Sequence, residues 1–126
     1  MPDAEFASQD LRDSSFTSAT LRHSNFSHAN LEGVSFFSAN LDSVNFEGAN
    51  LRNAILGSAR LTRTNLTNAV LVGALAANAR FEGATIDGAD FTGVLLRSDV
   101  EAKLCEVARG RNPETGRLTR DTLFCF

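Results

Sequence analysis

Residues 29–51 read ANLEGVSFFSANLDSVNFEGANL, and Leu or Phe returns at every fifth position: Leu31, Phe36, Leu41, Phe46 and Leu51. The register extends in both directions. From Phe6 to Leu96 it covers nineteen positions, filled by seven Phe, ten Leu, Ile86 and Ala76, and Ala stands two residues earlier at twelve of them. A period of five matches neither the 3.6 of an α-helix nor the 2.0 of a β-strand. It predicts a repeat architecture in which each unit adds one side to a coil and stacked coils bury a shared core. Burying one central side chain contributes roughly 1.5–3 kcal/mol. Fixing five backbones costs roughly 5–10 kcal/mol, so stability has to come from stacking.

The units Ala-Asn-Leu-x-x and Val-Asn-Phe-x-x in this stretch resemble the A(N/D)LXX signature of the pentapeptide-repeat family. The resemblance implies an all-β fold, a right-handed quadrilateral parallel β-helix with four pentapeptides to a coil. It covers residues 3–97, leaving 98–126 as a separate C-terminal helical cap. With the numbering folded on that basis, four sides emerge. The first centres on Phe6, Phe26, Phe46, Leu66 and Ile86; the third, opposite it, on Phe16, Phe36, Leu56, Ala76 and Leu96. The second carries Leu11, Leu31, Leu51, Leu71 and Phe91, and the fourth Leu21, Leu41, Leu61 and Phe81. Phe therefore faces Phe and Leu faces Leu in the early coils, as a narrow interior requires. Between Leu56 and Ala76 the Phe drop out, which predicts looser packing and a small void at Ala76.

The glycines obey the same register. Gly33, Gly48, Gly73, Gly83, Gly88 and Gly93 each stand two residues after a central residue, where a bend favours positive φ. Asn25, Asn45 and Asn65, and likewise Asn30 and Asn50, are expected to stack as scaffold amide ladders. Arg12, Glu32 and Arg52 form an outward column of alternating charge, expected to be a solvated surface. One outward stripe breaks this polarity. Ile55, Leu75 and Leu95 precede central residues of the third side, Phe37 and Ala77 follow others, and Val70 and Val72 lie on the adjacent side. Exposed stripes of this kind mark contacts, so these seven residues are the candidate interaction surface. Cover by the chain's own tail, and simple tolerance of apolar residues, are the competing readings.

The tail departs from the period. Ser98 with Glu101 has the form of a capping box, and Val100, Leu104, Val107 and Ala108 make one apolar helix stripe. Gly110 reads as the helix stop, and a second short helix from Thr119 carries Leu123 and Phe124. Together they are expected to cover the open end of the last coil. Cys105 and Cys125 admit two readings, a disulfide or two reduced thiols buried as small apolar groups. A bridge would close a loop of about twenty residues and add ~3 kcal/mol. The segment LCEVARGRNPETGRLTRDTLFCF (residues 104–126) is similar to the C-terminal cap of pentapeptide-repeat proteins of the thylakoid lumen. That likeness implies an oxidising compartment, where disulfides persist. Met1-Pro2-Asp3 runs straight into repeats without a charged-then-apolar leader, and the expectation is a mature form bearing a start Met. Periplasm and cytoplasm are the alternative locations.

Catalytic, cofactor and metal sites are not expected. His23 and His28 occupy equivalent corners, and only Asp13 and Glu47 offer loose further ligands, so both imidazoles read as exposed corners. No Ser sits in a nucleophile–base–acid arrangement, and the glycines need no phosphate to explain them. The net charge of −3, from 12 basic and 15 acidic residues, offers no basic stripe for nucleic acid. No apolar run reaches the length of a membrane span. These features favour a non-enzymatic scaffold or protein-interaction module, a monomer or a weak end-to-end or face-to-face dimer, and the resemblance of the tail implies a place in the thylakoid lumen. The alternative, implied by the resemblance to the pentapeptide-repeat family, is a DNA-mimic regulator of a topoisomerase. A deep polar pocket between tail and coil is what an enzyme would need.

Overall fold

Each outward residue just before a central position forms a parallel β-bridge with the residue twenty positions on, from Glu5 with Asn25 through to Leu75 with Leu95. Four pentapeptides therefore close one circuit. The structure, a computed structural model, describes residues 2–125. Phe26 shows how one corner is built. Its N–H donates to the Asn45 carbonyl at 2.7 Å and its own carbonyl accepts the Ala29 N–H at 3.1 Å, while Asn45 N–H returns to Ser24 at 3.0 Å. Ladder and turn alternate around the coil, satisfying the backbone that stacking buries. The chain belongs to the quadrilateral β-helix class that the resemblance implies.

Every corner glycine of the register has positive φ, between 64° and 75°. Non-glycine corners adopt the same conformation, including His23 at 62°, His28 at 58° and Arg63 at 56°. At Gly48 a Cβ would meet the His28 imidazole, which would have to swing aside. A large corner residue thus leans over a glycine in the coil above.

The core is the predicted pile of rings. Phe6, Phe26 and Phe46 stack at 4.9 and 5.5 Å, and Phe16 and Phe36 at 5.3 Å. Across the axis the two piles meet edge-to-face at 5.5–5.7 Å, the arrangement the ring quadrupole favours. The middle is not the exposed zone. Leu56, Leu61, Leu66 and Leu71 are fully buried and Ala76 nearly so, whereas Phe6, Leu11, Phe16 and Leu96 are only partly covered. Exposure concentrates at the ends because those coils have a neighbour on one side only.

The amides are used locally more than as ladders. Asn50 donates to Asn30 at 3.1 Å. Asn25, Asn45 and Asn65 instead accept the N–H two residues on, at 2.9–3.0 Å, which steadies each turn. In the Arg12–Glu32–Arg52 column Arg12 and Glu32 are exposed, Arg12 pairing with Asp10 at 2.7 Å, while Arg52 pairs with Glu114 of the tail at 3.6 Å.

Two helices cap the last coil, α1 (Ser98–Val107) and α2 (Thr119–Thr122). The capping box does not form. Arg97 is the N-cap, Ser98 already lies within the helix, and no side chain caps the first turn. Arg97 is extended (φ −62°, ψ 146°) and the helix starts at Ser98, one position too early for Ser98 to cap it. Nor does Gly110 stop α1, which ends where Ala108 turns extended at ψ 123°. Gly110 (φ 83°) serves a close approach, since a Cβ there would lie 3.1 Å from the Gly88 nitrogen. Residues 111–118 fold back as a hairpin bridged between Arg111 and Leu118. Cys105 and Cys125 form a disulfide with Cα atoms 5.6 Å apart, tying α1 to the segment after α2.

Candidate interaction surface

The third side carries no charge as far as Leu96, with Arg97 ending it. Residues 14–18, 34–38, 54–58, 74–78 and 94–96 contain no Asp, Glu, Lys or Arg, while each of the other three sides carries several. Its foot is polar: Thr17 Oγ1 lies 3.1 Å from Ser15 Oγ and 2.8 Å from Ser35 Oγ. Above Ser35 the same column turns apolar through Ile55, Leu75 and Leu95, joined rung to rung. In the neighbouring column the Phe37 ring lies along Gly57, 3.2 Å from where a Cβ would stand. Absence of that Cβ lets the ring lie flat. Phe37 is 47 %, Leu75 55 % and Leu95 77 % exposed, Ala77 is exposed and Ile55 half-buried.

Val70 does not belong to this surface. It is only 2 % exposed, and the hairpin of the tail crosses its side of the coil. There Asn112 Nδ2 donates to the carbonyls of Asn68 (3.3 Å), Ala69 (3.2 Å) and Gly88 (2.9 Å). Arg117 pairs with Asp90 at 3.2 Å, and Val72, one rung position further, is half-buried. Tail cover thus claims the second side and leaves the third bare. Uniform lack of charge was readable by tallying charges on each side, whereas the hairpin's path had no periodic signal.

The fourth side is the charged counterpart. Asp42 is 3 % exposed and receives Arg63 through two bonds (3.1 and 2.6 Å), Thr62 at 2.5 Å and Ser43 at 3.3 Å. Hydrogen bonds from Arg63 and Thr62 outweigh burial and hold its carboxyl well below the usual range. For Asp90, burial pushes upward, but bonds from Thr92 and Thr115 and the Arg117 charge leave it lowered. His23 and His28 are exposed at their corners, and among the described residues no three His, Cys, Asp or Glu converge as metal ligands. Between α1 and the last rungs of the fourth side lies an open groove of about 700 Å³, floored by Ala79, Phe81 and Leu104. At its rim Arg80 pairs with Glu82 at 3.5 Å and Arg97 with Asp99 at 3.3 Å.

Comparison with protein families matches Pentapeptide repeats, in eight copies, at residues 3–36, 36–57 and 59–97. The chain is a pentapeptide-repeat protein. Among solved structures it is similar to a pentapeptide repeat protein of the Arabidopsis thaliana thylakoid lumen, at 46% identity and a TM-score of 0.95. That match covers 97% of this chain and 85% of the other. HetL of the cyanobacterium Nostoc, involved in heterocyst differentiation regulation, matches at 24% identity and TM-score 0.60 over 78% of this chain and 49% of its own. That likeness concerns the fold alone. The plasmid-mediated fluoroquinolone resistance protein QnrB1 matches at 16% identity and TM-score 0.42, covering 74% of this chain and 60% of its own. A search of the curated proteins found no match. No helix of the described residues is long and apolar enough to cross a membrane.

Proposed function

We propose that this chain is a non-enzymatic interaction scaffold of the thylakoid lumen, docking a protein partner through its third side. The observation that carries the reading is the coincidence of three properties on one side: no charge from Ser14 to Leu96 along its rungs, exposed Phe37, Leu75 and Leu95, and a backbone locked rung to rung. A rigid apolar surface loses little entropy on docking, and one without charge favours a partner patch equally free of it. Location in the lumen is supported by the likeness to the Arabidopsis luminal protein and by the disulfide, which an oxidising compartment preserves. The interior is filled by side chains, and the groove beside α1 holds paired ions over an apolar floor, an arrangement suited to contact rather than to acid–base work. Mimicry of DNA is disfavoured because signs interleave on the charged side: Arg22, Asp42 and Glu82 share one column, with Arg60 and Arg80 in the next.

The test is a photo-crosslinking amino acid placed at Leu75 and, as control, at Glu32, introduced into protein within the native compartment. Adducts with one discrete protein from Leu75, absent from Glu32 and lost when Phe37→Ser/Ile55→Ser accompanies the probe at position 75, are expected. Equal adduct patterns from both positions would refute the third side as the docking surface.

A further inference from the structure

The groove beside α1 continues downward into a second depression along the fourth side, the two sharing Arg80, Glu82 and Gly83. Charge along this trough is lopsided. Six of the chain's 12 cations line it (Arg22, Arg60, Arg63, Arg80, Arg97 and Lys103) against four of its 15 acids. A chain of net charge −3 thus gathers an excess of two positive charges on one path. Three of those acids are already neutralised within the trough: Asp42 by Arg63 at 2.6 Å, Glu82 by Arg80 and Asp99 by Arg97. Arg60 and Lys103 have no ion-pair partner among the described residues. At the upper end the floor turns apolar, with Phe81 and Leu104 nearly buried and Val107 44 % exposed at the rim.

We infer that this trough binds an acidic, amphipathic segment of a partner protein, its apolar side chain seated between α1 and Phe81 and its carboxylates over Arg60 and over Arg80, whose exposed pair with Glu82 gives way to them. The inference rests on the interaction-scaffold reading but concerns a different side of the coil. Bidentate capture of carboxylates is what guanidinium groups do best, and a single apolar anchor in a groove supplies the desolvated contact that dominates such interfaces. A duplex nucleic acid or an anionic membrane fits less well. Either brings a continuous sheet of negative charge onto Glu82 and Glu106, whereas a peptide can place its carboxylates selectively.

The probe is a fluorescein-labelled Asp/Glu peptide of about twelve residues with a central Leu-Phe-Leu, titrated by anisotropy against the full chain. Saturable binding is expected, weakening with added salt. It should fall at least about tenfold in Arg60→Glu/Arg80→Glu and in Val107→Asp, each shown to be folded by circular dichroism. Ile55→Ser/Leu75→Ser should bind the peptide as the parent does, which separates failure here from failure of the third-side reading. The inference is overturned if Arg60→Glu/Arg80→Glu binds unchanged, or if no saturation appears at millimolar protein. It is equally overturned if an all-acidic peptide lacking the apolar triplet binds as tightly, or if duplex DNA or anionic vesicles displace the probe more effectively than the unlabelled peptide.

Discussion

Thr122 Oγ1 accepts the Phe91 N–H at 3.0 Å and donates to the Thr119 carbonyl at 2.7 Å, closing the last rung where no further coil supplies a carbonyl. Thr119 Oγ1, equally buried, has no hydrogen-bond partner among the described residues. The two hydroxyls should respond oppositely to removal. Thr122→Val leaves a buried N–H unpaired and should lose about 1–3 kcal/mol in urea unfolding, whereas Thr119→Val, of matched shape, should be neutral or mildly stabilising. A loss of equal size in both variants would contradict this assignment. Asp42 yields a pH prediction. Its carboxyl is lowered by Arg63 and Thr62 in the folded chain, so its stabilisation is fully present above the unfolded carboxylate value of about 3.9. That stabilisation is lost as pH falls through the folded value. Asp42→Asn should therefore lower stability at neutral pH by about 1–2 kcal/mol and flatten the acid limb of stability against pH. Parallel curves for the two proteins would show that Asp42 carries no such coupling.

At the level of elements, the cap depends on the disulfide more than on helix chemistry. α1 has no side-chain N-cap and no basic residue in its last turn, and α2 is four residues long. Neither is self-supporting at such length. Packing of Leu104 and Leu123 on the last coil and the Cys105–Cys125 bridge hold them instead. Cys105→Ser/Cys125→Ser should lose about 3 kcal/mol by the loop-entropy argument. Its unfolding should begin at the cap, with amide exchange rising at Gly88 and Phe91, whose N–H groups the tail accepts, before the middle coils. Uniform exchange along the rod would mean that cap and coils open together. The tail was partly legible beforehand: the helices and the pairing of the cysteines were foreseeable, but the capping residue was not. Ser98 and Glu101 have the right spacing, yet the helix begins at Ser98 itself, after the extended Arg97.

For the whole molecule, the twenty-residue circuit makes deletions geometric experiments. Removing residues 41–60 deletes one circuit and returns every later residue to its own column, so the chain should fold with a lower urea midpoint, as nearest-neighbour stacking predicts. Removing residues 56–60 deletes one side only and turns everything after it by a quarter. Circular dichroism should still report a folded coil, but Leu75 and Leu95 leave the side that carries Phe37, and crosslinking through the third side should disappear. Retained crosslinking would show that the apolar residues act singly rather than as one surface. The five-residue period determined the coil and the glycine corners, while the four sides, and with them the pile of Phe rings, were implied by the resemblance to the pentapeptide-repeat family. Each of these is specified by a residue's relation to its neighbours five and twenty positions away, and that relation repeats in every rung. Only the tertiary structure decided that Val70 is covered, that Arg97 caps α1, and that a trough opens beside Phe81. Those outcomes follow from where one aperiodic tail packs, and contacts made once leave no period to read.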